Sequence, residues 1–205
     1  MRALIIVDIQ NDFVPGGALA VADGDAVVPV ANRVMDCFDL IVATRDWHPE
    51  GHGSFALSHP GTKPGDVIDL NGLEQVLWPV HCVQDTKGAD FVQGLDISRV
   101  EKIFVKGIDP GIDSYSCFYD NGHLRNTGLG EYLRERGVDE VYLLGLATDY
   151  CVKYSALDAV ALGFRTYVIL DGCRGVDLSP GDIGKAVNVM KDAGVTIVTS
   201  DDVCS

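Results

Sequence analysis

Ala3-Leu-Ile-Ile-Val7 runs directly into Asp8, and this short stretch decides the fold. Five apolar residues are too few for a buried helix, and a run of this kind reads as a β-strand. The pattern recurs: Leu40-Ile-Val-Ala-Thr44 leads into Asp46 and His48, and Lys102-Ile-Phe-Val105 into Lys106. Val141-Tyr-Leu-Leu-Gly145 leads into Ala147-Thr-Asp-Tyr-Cys151, and two further runs lie near residues 166–170 and 195–199. Helical stripes fall between several of these runs. They are Val27/Val30/Ala31/Val34, Leu129/Tyr132/Leu133, Val152/Ala156/Ala159/Val160/Ala161 and Ile183/Val187/Met190. The alternation predicts an α/β fold, a six-stranded parallel sheet wound with helices on both faces by right-handed crossovers. In such a sheet ligands bind beyond the carboxyl ends of the strands. An acid, a base, a thiol and a candidate metal pair are all delivered to that rim.

The span from about residue 45 to 101 breaks the alternation. It is rich in Gly and Pro, has one weak helical stretch around Leu73–Leu77, and holds His48, His52, His59 and His81, four of the five histidines. An excursion that long after the second strand reads as functional rather than as filler. With no internal repeat, low-complexity tract or linker, residues 1–205 are expected to form a single domain.

Sixteen basic against thirty acidic residues give a net charge of −14, which disfavours nucleic acid and anionic membrane as partners. No apolar stretch approaches the ~20 residues that span a bilayer, and the N-terminal run stops at an acid, so a cytoplasmic protein is expected. The six cysteines (Cys37, Cys82, Cys117, Cys151, Cys173 and Cys204) form no C-x-x-C pair and read as reduced thiols. Cys37 and Cys173 read as packing residues. Oligomeric state leaves no trace in the periodicity, and a homo-oligomer stays open.

Cys151 is the strongest chemical signal. It opens a helix after a strand and turn, with Thr148 or Asp149 as N-cap, and the helix N-terminus is expected to favour the thiolate and to offer N–H groups to an oxyanion. Asp8 and Lys106 end neighbouring strands. They read either as a buried salt bridge or as a general base for the thiol and the cation that tunes it. Asp46-Trp47-His48 places an acid and a histidine on one side of an extended chain, and Trp78-Pro-Val-His81 offers a third ligand. One carboxylate and two imidazoles suit Zn²⁺ first, with Fe²⁺ or Mn²⁺ as alternatives, and leave positions for water or substrate. His52 reads as a fourth ligand, a partner of a ligand or a solvated histidine; His59 and His123 read as ordinary polar residues. Phe13, Trp78 and Tyr115 are loop aromatics that could flank a flat substrate. Cys117 is the one candidate for a resolving thiol, were Cys151 a redox sensor.

Together these segments resemble the isochorismatase-like cysteine hydrolases, and within them the nicotinamidase (pyrazinamidase) branch. The resemblance covers Ala3-Leu-Ile-Ile-Val-Asp8-Ile-Gln-Asn-Asp-Phe13, Asp46-Trp-His-Pro-Glu-Gly-His-Gly-Ser-Phe55, Trp78-Pro-Val-His-Cys82, Val105-Lys-Gly107, Asp113-Ser-Tyr-Ser-Cys-Phe118 and Gly145-Leu-Ala-Thr-Asp-Tyr-Cys-Val152. Cys117 stands where the family commonly has Gly or Ala. The resemblance implies a catalytic triad of Asp8, Lys106 and Cys151 and one divalent metal on Asp46, His48 and His81. It also implies a cis peptide at Leu146–Ala147, with the N–H groups of Ala147 and Cys151 facing the oxyanion, and a ring held by Phe13, Trp78 and Tyr115. The implied reaction is hydrolysis of nicotinamide, and of pyrazinamide, to the acid and ammonia through a cysteine thioester, in NAD salvage. A related amidohydrolase acting on carbamoyl or ureido substrates is the alternative.

Overall fold

The computed structural model describes residues 1–204. Each expected strand is present: β1 (Arg2–Val7), β2 (Leu40–Asp46), β5 (Lys102–Lys106), β6 (Glu140–Leu146), β7 (Arg165–Arg174) and β8 (Thr196–Val198). They form one parallel sheet in the order β5-β2-β1-β6-β7-β8. Between strands lie α1 (Val27–Met35), α2 (Leu129–Glu135), α3 (Lys153–Ala161), α4 (Asp182–Asp192) and, at the end, α5 (Ser200–Val203). The chain walks outward in one direction from β1 through β2 to β5 and in the other from β6 to β8. The reversal between β1 and β6 opens the crevice where a ligand sits in this class of sheet.

Central strand residues Leu4, Ile5, Ile6, Val42, Leu143 and Leu144 are fully buried, which is why these runs read as continuously apolar. Register then aligns the chemistry. Asp46 pairs with Lys106 across β2 and β5, and Val7, just before Asp8, pairs with Gly145 across β1 and β6. Gly145 sits at φ 128°, and a Cβ there would lie 2.0 Å from the Val7 carbonyl oxygen. Only glycine lets β1 and β6 approach this closely beside the rim.

Three expectations are corrected. The stretch around Leu73–Leu77 is not helical: β3 (Val67–Leu70) and β4 (Leu73–Val76) form an antiparallel hairpin. Its turn is Asn71-Gly72, at φ 55° and 89°, the residue pair that a two-residue hairpin loop favours. Cys37 and Cys204 are not free thiols but are joined in a disulfide, with Cα atoms 5.5 Å apart. Docking of α5 beside the end of α1, where Arg33 binds Ser200 and Asp201, brings the two together. Finally, Cys151 lies in a π-helical turn, Thr148–Val152, that precedes α3, and no side chain caps it. No helix among the described residues is long and apolar enough to cross a membrane.

Candidate active site

Lys106 is the hub of the rim. Its side chain is 1% exposed, and its three ammonium hydrogens go to Asp46 Oδ1 (2.6 Å), the Ser114 carbonyl (2.9 Å) and Cys151 Sγ (3.4 Å). Asp8 Oδ2 also lies 2.9 Å from Lys106 Nζ. With the three hydrogens directed elsewhere, that contact is an ion pair, and Asp8 Oδ2 keeps no hydrogen-bond partner. Asp8 Oδ1 accepts from Thr44 Oγ1 at 2.7 Å. Carboxyl oxygens of Asp8 and Asp46 and the Cys151 sulfur lie within 4.8 Å of one another. An open carboxylate oxygen thus stands beside a thiol, with a cation touching both.

Burial raises the Asp8 carboxyl above its ordinary value; Lys106 and Thr44 pull it back only in part, and Asp46 adds to the rise. Burial likewise pushes the Cys151 thiol well above its ordinary value, against the pull of Lys106 and with help from Asp8 and Asp46. This corrects the expectation of a thiolate favoured by a helix N-terminus: the resting group is a neutral thiol beside an acceptor. Burial alone would lower the Lys106 ammonium, but Asp46 and Asp8 outweigh it and hold the group charged.

Asp46 divides its two oxygens. Oδ1 takes Lys106, while Oδ2 faces His48 Nε2 at 3.6 Å and His81 Nε2 at 3.8 Å. His48 Nδ1 lies 2.9 Å from the Gly107 carbonyl, and His81 Nδ1 lies 2.8 Å from that of Pro79. A carbonyl can only accept, so both rings carry a proton on Nδ1 and turn Nε2 toward Asp46. His48 Nε2 is buried with no partner. A buried ring nitrogen without a partner is costly, and two imidazoles so oriented beside one carboxylate oxygen fit a divalent metal ion well. His52 does not join them. Its Nε2 donates to the Asp109 carbonyl at 2.8 Å, and its Nδ1 meets Ser54 Oγ and the Ser54 N–H. Its ring instead packs against His48, with centroids 4.4 Å apart.

A slot beside these groups is lined by Phe13, Leu19, Trp78, Tyr115, Tyr150 and Val176 together with Asp46, His81, Asp113, Ala147 and Cys151. Trp78, Tyr115 and Tyr150 meet edge to face, and Trp78 Nε1 and Gln75 Nε2 both donate to the Tyr115 hydroxyl. The Leu146–Ala147 peptide is cis, as the resemblance implied.

An isochorismatase domain model matches residues 2–202. The chain belongs to the isochorismatase family. Among its relatives, an Escherichia coli nicotinamidase is 48% identical over 98% of this chain and 96% of the relative. A solved Acinetobacter nicotinamidase/pyrazinamidase superposes with a TM-score of 0.96 at 48% identity, covering 98% of this chain and 97% of that one. A Pyrococcus horikoshii pyrazinamidase solved in complex with zinc is 41% identical with a TM-score of 0.78, covering 97% and 98%.

Within this isochorismatase fold, every residue singled out from the sequence lies at one rim: Asp8, Lys106 and Cys151, then Asp46, His48 and His81, then Phe13, Trp78, Tyr115 and Ala147. His59 bonds the Gly53 carbonyl, and His123 is exposed beside Asp158; neither touches the slot. Cys117 is fully buried, its thiol pushed up to about 12 by burial, which suits packing rather than redox exchange. Sequence reasoning missed Thr44, Leu19, Asp113, Tyr150 and Val176. Tyr150 was readable, being next to Cys151. Asp113 was hidden within an aromatic loop. Asp149, expected as an N-cap, instead accepts the N–H groups of Val176 and Asp177 (2.9 and 2.8 Å), pinning the wall of the slot to the Thr148–Val152 turn.

Proposed function

We propose that this chain is a nicotinamidase, releasing ammonia from nicotinamide, and from pyrazinamide, in NAD salvage. One observation carries the reading: the Cys151 thiol, Asp46 and His81 line a single aromatic slot, with Asp8 and Lys106 packed behind the thiol and His48 behind the Asp46 carboxylate. Asp46, His48 and His81 would hold a divalent ion, zinc first by their donor chemistry, and that ion would supply a Lewis-acidic seat for the pyridine nitrogen. Phe13, Trp78 and Tyr115 flank the ring and leave the carboxamide over Cys151.

The chain's own residues then perform the acyl transfer. Asp8 Oδ2 takes the Cys151 thiol proton as Sγ bonds to the carboxamide carbon, and Lys106 balances the negative charge. The N–H groups of Ala147 and Cys151 receive the oxyanion. Collapse breaks the C–N bond, and Asp8 returns its proton to the leaving ammonia. Asp8 next takes a proton from water, whose oxygen attacks the thioester. Nicotinic acid leaves, and the thiol is restored.

The test is ammonia release from nicotinamide by purified protein before chelation, after chelation and after zinc is restored. Loss on chelation and recovery with zinc is the expected result. No release in any of the three states would overturn the substrate assignment, and carbamoyl and ureido amides would then be assayed on the same thiol.

A further inference from the structure

The N-terminal segment Asp8-Ile-Gln-Asn-Asp12 has more polar residues than the acyl transfer uses. Gln10 is fully buried, yet it belongs to neither the triad nor the metal ligands. Its carboxamide meets both backbone groups of Asp46. Nε2 donates to the Asp46 carbonyl (2.8 Å) and to the Ala89 carbonyl (2.9 Å), while Oε1 accepts the Asp46 N–H (2.8 Å). Asp12 does the equivalent for the other ligand segment. Its Oδ2 accepts the Cys82 N–H at 2.7 Å, directly after His81, and its Oδ1 accepts the Ala18 N–H at 3.3 Å. The Cys82 carbonyl in turn accepts the His48 N–H at 3.0 Å. Cys82 itself sits at φ 45°, a left-handed conformation that a non-glycine residue adopts only when its surroundings hold it there.

We infer that Gln10 and Asp12 are positioning residues for the metal seat, one fixing Asp46 and the other fixing the His81–Cys82 turn and, through it, His48. The three ligands come from two segments, the end of β2 and the turn after Pro79, that share no continuous secondary structure. Alternate residues of a third segment join them, and its first alternate residue is Asp8, the proposed base. The distance between base and metal seat is therefore set within five residues. Groups that orient ligands typically change metal affinity by roughly 10- to 100-fold when removed. Asp12→Asn removes the carboxylate charge from the Cys82 N–H. Gln10→Glu keeps the shape but replaces the donor facing two carbonyls with an acceptor.

This inference rests on the metal reading of the site, so the parent protein serves as the control. Zinc affinity is measured by competition with a chromophoric chelator for the parent, Gln10→Glu and Asp12→Asn. Thermal unfolding and iodoacetamide alkylation of Cys151 are followed in the metal-free proteins. The expected result is a 10- to 100-fold weaker zinc affinity in both variants, with alkylation rates and metal-free melting close to the parent. Ammonia release should return toward the parent rate as zinc is raised. If the parent takes up no zinc, the metal reading itself fails. If the parent binds and both variants bind within twofold of it, the positioning role is overturned. A weakening that comes with altered alkylation and a lower metal-free melting temperature also overturns it, in favour of a general structural role. If Gln10→Glu does not fold, Asp12→Asn decides alone.

Discussion

Replacing Lys106 by Met removes the cation that touches Asp8, Asp46 and Cys151 while keeping much of its buried volume. The structure fixes the sign of the result. Burial and Asp46 already raise Asp8, and Lys106 opposes them; burial raises Cys151, and Lys106 again opposes it. Without the cation both groups rise further. In the proposed mechanism Asp8 works as the deprotonated base, so the acid limb of kcat/KM is expected to move to higher pH. At the 2.9 Å separation of Lys106 Nζ and Asp8 Oδ2, an effective dielectric of about 20 gives roughly 6 kcal/mol of attraction as a ceiling. A single adjacent cation ordinarily moves a carboxylate by ~1–3 pH units, or about 1.4–4 kcal/mol, and the limb should move by that much. Breaking a buried ion pair also costs about 3–5 kcal/mol of stability, so folding is first checked by circular dichroism at low temperature. Ammonia release and Cys151 alkylation are then profiled against pH, and both limbs should move upward together. Lys106→Arg, which keeps a cation there, should leave both limbs near their original positions. A Lys106→Met protein that is folded but less active, with both limbs unmoved, would refute the electrostatic role assigned to this lysine.

Two further outcomes follow from the geometry. Cys151→Ala should reduce ammonia release by about 10⁴-fold or more while leaving zinc content by elemental analysis unchanged, since the sulfur is absent from the Asp46/His48/His81 set; loss of both would undo the separation of thiol and metal roles. Reducing the Cys37–Cys204 disulfide, which spans 167 residues, should remove up to roughly 5 kcal/mol of stability by the loop-entropy estimate and lower Tm by up to roughly 10–20 °C. Calorimetry with and without reductant checks the melting, and ammonia release at 25 °C should not change, because neither cysteine lines the slot.

What could be read from the sequence is what repeats or lies close in the chain. The β1, β2, β5 and β6 runs stay apolar up to polar residues, so Asp8, Asp46, Lys106 and Cys151 announce one rim. The Asp46-x-His48 pair was visible because extended backbone puts alternate side chains on one side. Contacts set by tertiary packing were not visible. Cys37 and Cys204 come together only because α5 returns beside α1, and no local pattern encodes that. The Asn71-Gly72 turn was present as a hairpin signal, but the apolar spacing of Leu73 and Leu77 suggested a helix instead. The state of Cys151 was misread because a local argument, the helix N-terminus, was weighed without the surrounding burial and carboxylates. Those come from β1 and β2, far from Cys151 in sequence.

The sharing of Lys106 explains why this rim holds two carboxylates and a neutral thiol. Asp46 uses one oxygen for Lys106 and turns the other to the imidazoles, so its orientation toward a metal is fixed by the same ammonium that pairs with Asp8. The ammonium's remaining hydrogens fall on the Ser114 carbonyl and the Cys151 sulfur, leaving Asp8 Oδ2 in an ion pair with the same ammonium at 2.9 Å. A thiolate formed at rest would add a third negative charge around one cation in a buried pocket, and the raised thiol reflects that cost. Once the proton passes to Asp8, the count of negative charges around Lys106 does not change, because one carboxylate is neutralised as the sulfur becomes anionic. In the proposed mechanism, proton transfer and nucleophilic attack are therefore coupled by charge conservation at a single lysine. For this arrangement a base with a raised pKa serves better than a pre-formed thiolate.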